Sequence, residues 1–107
     1  MADKGPSVLV VDDEPAHIEA IRRAFKATGP EFAVKSAATL REYRELAAAD
    51  PPDIALLDLN LPDGSAVEVL SPSLGANPFP ILIMTSYGDE ARAVQAIKSG
   101  ALDYIVK

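Results

Sequence analysis

Three aliphatic runs constrain this chain more than any other feature: Val8-Leu9-Val10-Val11, Ile54-Ala55-Leu56-Leu57 and Ile81-Leu82-Ile83-Met84. Short apolar runs of this kind, with no polar alternation, read as strands buried on both faces. Each run ends abruptly on polar residues: Asp12-Asp13-Glu14, Asp58 and Thr85-Ser86. A carboxylate just past such a strand has left the core, so it faces solvent, a cation or a partner. Two strands that deliver carboxylates to one edge of a sheet build a pocket suited to a divalent metal.

The first strand is expected over Ser7–Asp12, after a short polar lead from Met1 to Pro6. Pro15 suits a first helical position, and Ile18, Ile21, Ala24 and Phe25 recur at helical spacing until Gly29-Pro30. A second strand is expected over Phe32–Ala37. Thr39 and Glu42 carry a capping-box signature that opens a helix with Leu40, Tyr43, Leu46 and Ala47 on its apolar side. Ile54–Asp58 forms the third strand, and Leu61-Pro62-Asp63-Gly64 suits a tight turn. Ser65–Leu70 begins a weak helical stretch that Pro72 interrupts. After a fourth strand over Ile81–Thr85, Asp89–Ser99 is expected as a helix with Val94 and Ile97 inward and Gly100 as its stop. Asp103–Val106 is the fifth strand.

Strands alternating with helices through short loops imply right-handed crossovers and a parallel sheet, hence an α/β domain. In such open sheets, ligands bind outside the carboxyl ends of the strands. Those ends hold Asp12, Asp13, Asp58, Thr85, Ser86 and Lys107.

A chain of 107 residues makes one domain, and 49% apolar content is enough to exclude intrinsic disorder. Cysteine is absent, which removes thiolate metal sites and cysteine nucleophiles and fits a reducing compartment. No apolar run approaches the ~20 residues that cross a bilayer, and no signal-peptide pattern opens the chain, so a cytoplasmic, membrane-free location is expected. The net charge of −6 argues against nucleic-acid binding by this domain. The single histidine, His17, excludes a histidine-rich metal site and is expected as an exposed polar position on the first helix.

Mg²⁺ takes a few carboxylate oxygens plus waters and phosphate rather than a full protein cage. Asp12, Asp13 and Asp58 offer that incomplete shell, and their mutual repulsion makes the site costly without a cation. Asp58 can attack a phosphorus centre to give an aspartyl phosphate. Lys107 would supply an ammonium to the transferring group, and the Thr85 hydroxyl a hydrogen bond. Blander readings exist. Asp12 and Asp13 can cap the following helix. Thr85 and Tyr104 can be ordinary strand residues, and Lys107 a solvated terminal lysine.

In order and spacing, four segments together resemble the receiver domains of two-component response regulators: residues 8–15, 58–64, 83–86 and 100–107. The resemblance covers essentially the whole chain. It implies a flavodoxin-like five-stranded parallel sheet in the order 2-1-3-4-5, with helices on both faces. Asp58 would be the phosphorylated aspartate. Asp12 and Asp13 would hold Mg²⁺ (or Mn²⁺), with the backbone carbonyl of Asn60 completing the shell. Lys107 would contact the phosphoryl group, Thr85 would be the switch hydroxyl, and Tyr104 the aromatic that moves inward when Thr85 engages phosphate. Asn60 and Tyr87, two residues after the acceptor and after the switch threonine, would modulate phosphoryl lifetime.

The resemblance further implies a sensor histidine kinase or phosphotransfer protein as phosphodonor, in a bacterial two-component system. The receiver would catalyse its own phosphorylation and dephosphorylation rather than act as an enzyme on another substrate. An output domain, attached or separate, and a homodimer are the partners such a domain can have.

The chain departs from the pattern in two places. Members normally continue past this lysine through a proline into a fifth helix beside the first. Here Lys107 is the last residue, so the expectation is one receiver domain, 1–107, lacking that helix and leaving an apolar strip uncovered. Ser71-Pro72-Ser73 falls where the third helix usually continues, so that helix is expected to be short or broken. Two other functions compete. A pseudo-receiver would interact without phosphorylation, against which the intact site residues count. A phosphatase of the haloacid dehalogenase type wants a second acid two residues after its nucleophile, where Asn60 stands. Nucleotide-binding domains are disfavoured, since neither a phosphate-loop lysine motif nor G-x-G-x-x-G is present.

Overall fold

The aliphatic runs become the centre of one parallel sheet in the computed structural model, which describes residues 6–28, 31–71 and 77–107. Its strands are β1 (Ser7–Val11), β2 (Ala33–Ala37), β3 (Ile54–Asp58), β4 (Ile81–Thr85) and β5 (Asp103–Val106). They are ordered β2-β1-β3-β4-β5, the flavodoxin-like arrangement that was expected. Val8, Leu9, Val10 and Val11 are each at most 2% exposed, because β1 has a strand on either side and packing on both faces.

The pleat sorts these runs between two cores. Val8, Val10, Leu56 and Met84 face α1 (Pro15–Ala27), which covers them with Ile18, Ile21 and Phe25. Leu9, Val11, Leu57 and Ile83 face the opposite side, where they meet Leu40 and Tyr43 of α2 (Leu40–Ala49) and Ala96 of α3 (Glu90–Lys98). Helices therefore lie on both faces. The α1 side is the thinner one: no residue of α1 is fully buried. Beside α1 runs an open apolar groove of about 630 Å³, lined by Val8, Ile21, Phe25, Leu82, Met84 and Ile105.

Several local expectations shift. β1 ends at Val11, although the Asp12 N–H still donates to the Ala37 carbonyl at 3.0 Å, and β2 begins at Ala33. α1 ends at Ala27 with Thr28 as its C-cap, while Gly29-Pro30, Pro72 and Ser73 lie outside the described residues. The weak helical stretch is a single 3₁₀ turn, Ala66–Val69, closed by a Ser65–Glu68 capping box, with Leu70 already extended. On α3 the inward positions are Ala93 and Ala96, whereas Val94 is 44% exposed and Ile97 only half-buried. Two alanines let α3 lie close on β4 and β5, a packing gain that hydrophobicity alone does not rank.

Gly100 ends α3 as expected, with φ +124°. An added Cβ there would collide with the Ser71 carbonyl, which Asn77 Nδ2 already holds at 2.9 Å together with the Gly100 carbonyl at 3.2 Å. Gly100→Ala is therefore expected to cost about 1–3 kcal/mol, read as a lower urea midpoint at unchanged slope.

Candidate functional site

Parallel register brings the acidic residues together. Val11 pairs with Leu57, so the next residue of each strand, Asp12 and Asp58, emerges at the same edge of the sheet. Across the neighbouring pair Thr85 lies opposite Val106, and the Lys107 N–H donates to the Thr85 carbonyl at 2.7 Å. Residues far apart in the chain thus share one edge because β1, β3, β4 and β5 run the same way.

Asp12 is fully buried and Asp58 is 6% exposed, whereas Asp13 faces solvent. One oxygen from each lies within 4.8 Å of the other two. Asp12 Oδ1 accepts the Glu14 N–H at 2.9 Å, and Asp58 Oδ1 accepts the Asn60 N–H at 3.3 Å. Lys107 Nζ donates to Asp58 Oδ2 at 2.8 Å and stands 3.5 Å from Asp12 Oδ2. Its side chain is only 16% exposed, so the reading as a solvated terminal lysine is set aside. Burial pulls the Lys107 ammonium down, but the hydrogen bond to Asp58 and the charges of Asp58 and Asp12 outweigh it and hold the group above the ordinary lysine range. Lys107 is a cation throughout the neutral range.

Asp12 Oδ2 is the atom that tests whether a cation fits. It is buried and accepts no hydrogen bond, with the Lys107 ammonium 3.5 Å away as a counter-charge, so the oxygen remains open to ligate a cation. One oxygen from each of the three carboxylates lies within 4.8 Å of the other two, close enough for small side-chain rotations to bring all three onto one hard cation. A hard divalent cation of the Mg²⁺ type suits this donor set. The capping alternative does not describe Asp12: Glu14 is the N-cap of α1, and Asp12 bonds the Glu14 N–H ahead of the helix.

The remaining expected residues are distributed unevenly. Thr85 is 1% exposed, and its hydroxyl makes only a long 3.4 Å contact to the Ser86 carbonyl. Tyr104 lies opposite Ile83, half-buried against the core on the α3 side. Asn60 is exposed and pairs with Ser65 in a two-residue hairpin (Asn60–Leu61 with Gly64–Ser65) outside the main sheet. Tyr87 is 90% exposed.

Two residues acquire roles that the sequence did not suggest. His17, expected as a bystander, has Nδ1 at 3.2 Å from both Asp12 Oδ2 and Glu14 Oε1. The three-residue step from Glu14 at a helix start was its only sequence signal. Asp63, read as a turn residue, caps α2 from a distance: its oxygens accept the Leu40 N–H at 2.8 Å and the Arg41 N–H at 3.0 Å. Thr39 Oγ1 accepts from Glu42 N–H at 3.1 Å as the capping box requires, but Glu42 reaches back to Ala38 N–H rather than to Thr39.

The Leu40 N–H above all, followed by the Arg41 N–H and the charge of Arg44, outweighs desolvation and holds the Asp63 carboxyl below the usual carboxylate range. A depressed carboxylate stabilises the fold above its unfolded value and loses that contribution as pH falls through the folded one. Asp63→Ala is expected to melt lower than wild type near neutrality, with the gap closing in acid below the ordinary value of 3.8. Thermal melts across that range check it.

A parallel sheet in this order, with a largely buried acidic cluster and a lysine at its carboxyl edge, defines a flavodoxin-like α/β domain with a polar site at that edge. The chain belongs to the response regulator receiver domain family, whose model matches residues 8–107. It is 40% identical over 102 residues to the acid tolerance regulatory protein ActR of Rhizobium meliloti, across 94% of this chain and 52% of that protein. It is 38% identical over 100 residues to the transcriptional regulatory protein KdpE of Mycobacterium tuberculosis, across 94% of this chain and 43% of that one. The chain thus spans about half the length, or less, of these curated relatives.

Among solved structures, a response regulator of Chloroflexus aurantiacus superposes with a TM-score of 0.83 at 26% identity, over 97% of this chain and 86% of that one. A response regulator protein from Burkholderia pseudomallei, determined with a phosphorylated aspartic acid, a calcium ion and citrate, gives 0.79 at 33% identity, over 98% and 60%. Among the described residues, no helix is long and apolar enough to cross a membrane.

Proposed function

We propose that this domain is a phosphorylation-dependent switch of a two-component system, and that Asp58 is its phosphoacceptor. The observation that carries this reading is the Lys107 ammonium 2.8 Å from Asp58, beside two further carboxylates. The phosphorylated aspartic acid and calcium ion of the Burkholderia pseudomallei relative support it.

In this reading a carboxylate oxygen of Asp58 attacks the phosphorus of a phosphohistidine on a sensor kinase or phosphotransfer protein. The new O–P bond forms as the P–N bond breaks, and the departing imidazole takes up a proton. Asp12, Asp13, Asp58 and the backbone carbonyl of Asn60 would hold Mg²⁺ (or Mn²⁺), which supplies positive charge to the phosphoryl oxygens and offsets the repulsion among the carboxylates. Lys107 supplies the second positive group. Thr85, whose hydroxyl has only a weak partner, turns to the phosphoryl oxygen. Tyr104, opposite Ile83 on the neighbouring strand, follows inward and alters the surface of α3 and β5.

The domain catalyses its own modification and its own loss of phosphate, in the cytoplasm. Its message passes to an output domain or a second copy, without direct contact between its own acidic surface and nucleic acid. Tyr87, fully in solvent, would slow the attack of water on the phosphorylated site only by folding back over it.

The test is incubation with a small-molecule phosphodonor and Mg²⁺, for wild type and Asp58→Ala. An acid-stable, base-labile phosphoryl adduct on wild type alone is expected. No adduct on wild type would favour a module that interacts without phosphorylation, and turnover without an adduct would favour a phosphatase.

A further inference from the structure

His17 occupies a position that neither the fold nor the phosphoryl chemistry requires. It stands in the first turn of α1, its backbone N–H donating to the Glu14 carbonyl at 3.0 Å, so the helix fixes where the ring can reach. Its side chain is 38% exposed, yet Nδ1 is buried and, with no hydrogen-bond partner in this arrangement, stands 3.2 Å from both Asp12 Oδ2 and Glu14 Oε1. Asp12 Oδ1 is already engaged by the Glu14 N–H, so the orientation of this carboxylate depends on what meets Oδ2. Among the described residues, two side-chain nitrogens lie within 4 Å of Oδ2, and one of them, Lys107 Nζ, is the shorter-range partner of Asp58. When a phosphoryl group on Asp58 draws Lys107 to itself, His17 is the nitrogen left beside Asp12.

We infer that His17 is a positioning residue for Asp12: its imidazole steadies the Asp12 carboxylate for a divalent cation and walls the buried oxygen off from the neighbouring groove. The groove's lining includes both His17 and Lys107, so its end abuts the acidic site. Exclusion of water there strengthens every charge interaction within the site. Groups that orient a ligating carboxylate without touching the ion commonly change metal affinity about 10- to 100-fold when removed. The partial exposure of His17 puts it at the lower end. The inference rests on the reading of Asp12, Asp13 and Asp58 as the cation site.

Mn²⁺ is the probe, its free fraction read by electron paramagnetic resonance on wild type, His17→Ala, His17→Gln and His17→Leu. His17→Ala is expected to bind about tenfold more weakly. His17→Gln, which keeps a side-chain N–H, regains most of the affinity. His17→Leu, which keeps the bulk without the nitrogen, regains little and remains folded if the alanine variant does not. Pulsed measurements on bound Mn²⁺ show no directly coordinated ¹⁴N in any of them. Alanine or leucine variants that bind within about twofold of wild type overturn the positioning role, as does a coordinated ¹⁴N signal in wild type alone, which makes His17 a ligand. Wild type that binds no Mn²⁺ removes the cation reading itself, and this inference with it. Intact binding by His17→Ala leaves that reading standing.

Discussion

If Asp58 is the phosphoacceptor as proposed, replacing Lys107 with methionine is expected to slow transfer from a small-molecule phosphodonor about 100- to 1000-fold, the usual effect of deleting one group that stabilises developing charge. Methionine keeps most of the aliphatic stem and removes the ammonium that lies 2.8 Å from Asp58 Oδ2 and 3.5 Å from Asp12 Oδ2. Both carboxylates are buried, so the same change leaves two anions under-compensated and lowers stability by about 1–3 kcal/mol in the absence of metal. The pH dependence follows from the raised pKa of Lys107. Its stabilising contribution is complete below the unfolded lysine value of 10.5 and disappears as pH rises through the higher folded one. Wild-type transfer is therefore expected to be insensitive to Lys107 titration near neutrality. A methionine variant that transfers phosphate at the wild-type rate would falsify the role of Lys107.

Asp13→Asn is expected to reverse its effect on stability when Mg²⁺ is added. Asp13 is exposed, so the substitution disturbs no packing. It also removes one of three like charges whose oxygens lie within 4.8 Å, worth about 1 kcal/mol in a water-like medium. Without metal, the variant melts above wild type. With Mg²⁺ at about 100 times its dissociation constant, wild type gains about 2.7 kcal/mol, whereas the variant, missing a ligand, gains little. The two melting curves exchange order. If Mg²⁺ raises both melting temperatures equally, Asp13 is not a ligand and the cluster binds its cation otherwise.

Much of this was legible in the residues. Uninterrupted aliphatic runs demand burial on both faces, which in a chain of this size means central parallel strands with crossover helices. The polar residue ending each run then falls at the carboxyl edge, where Asp12, Asp58 and Thr85 are buried but no longer among apolar neighbours alone. That is why the edge positions of Asp12, Asp58 and Thr85 are legible in the sequence, as are the capping threonine of α2 and the terminal glycine of α3. Local chemistry suffices for such features, because the groups that cause them are neighbours in the chain.

The misjudged positions share the opposite property. Val94 is more apolar than Ala93, but close packing of α3 on the sheet favours the smaller side chain inward. Asp63 suits a turn by composition, and only the approach of the hairpin to α2 makes it a cap across 23 residues. His17 is an unremarkable polar residue until helix α1 swings it against a carboxylate that β1 has buried.

The alternation of aliphatic strands with helices determined by itself that this chain is an α/β domain, and the acidic strand ends placed its carboxyl-edge site, since hydrophobic periodicity and strand polarity are properties of short segments. Only the tertiary structure decided which nitrogens meet those carboxylates. Lys107 and His17 reach Asp12 from different elements, and the distances that give them electrostatic weight exist only once the sheet register and the helix docking are set.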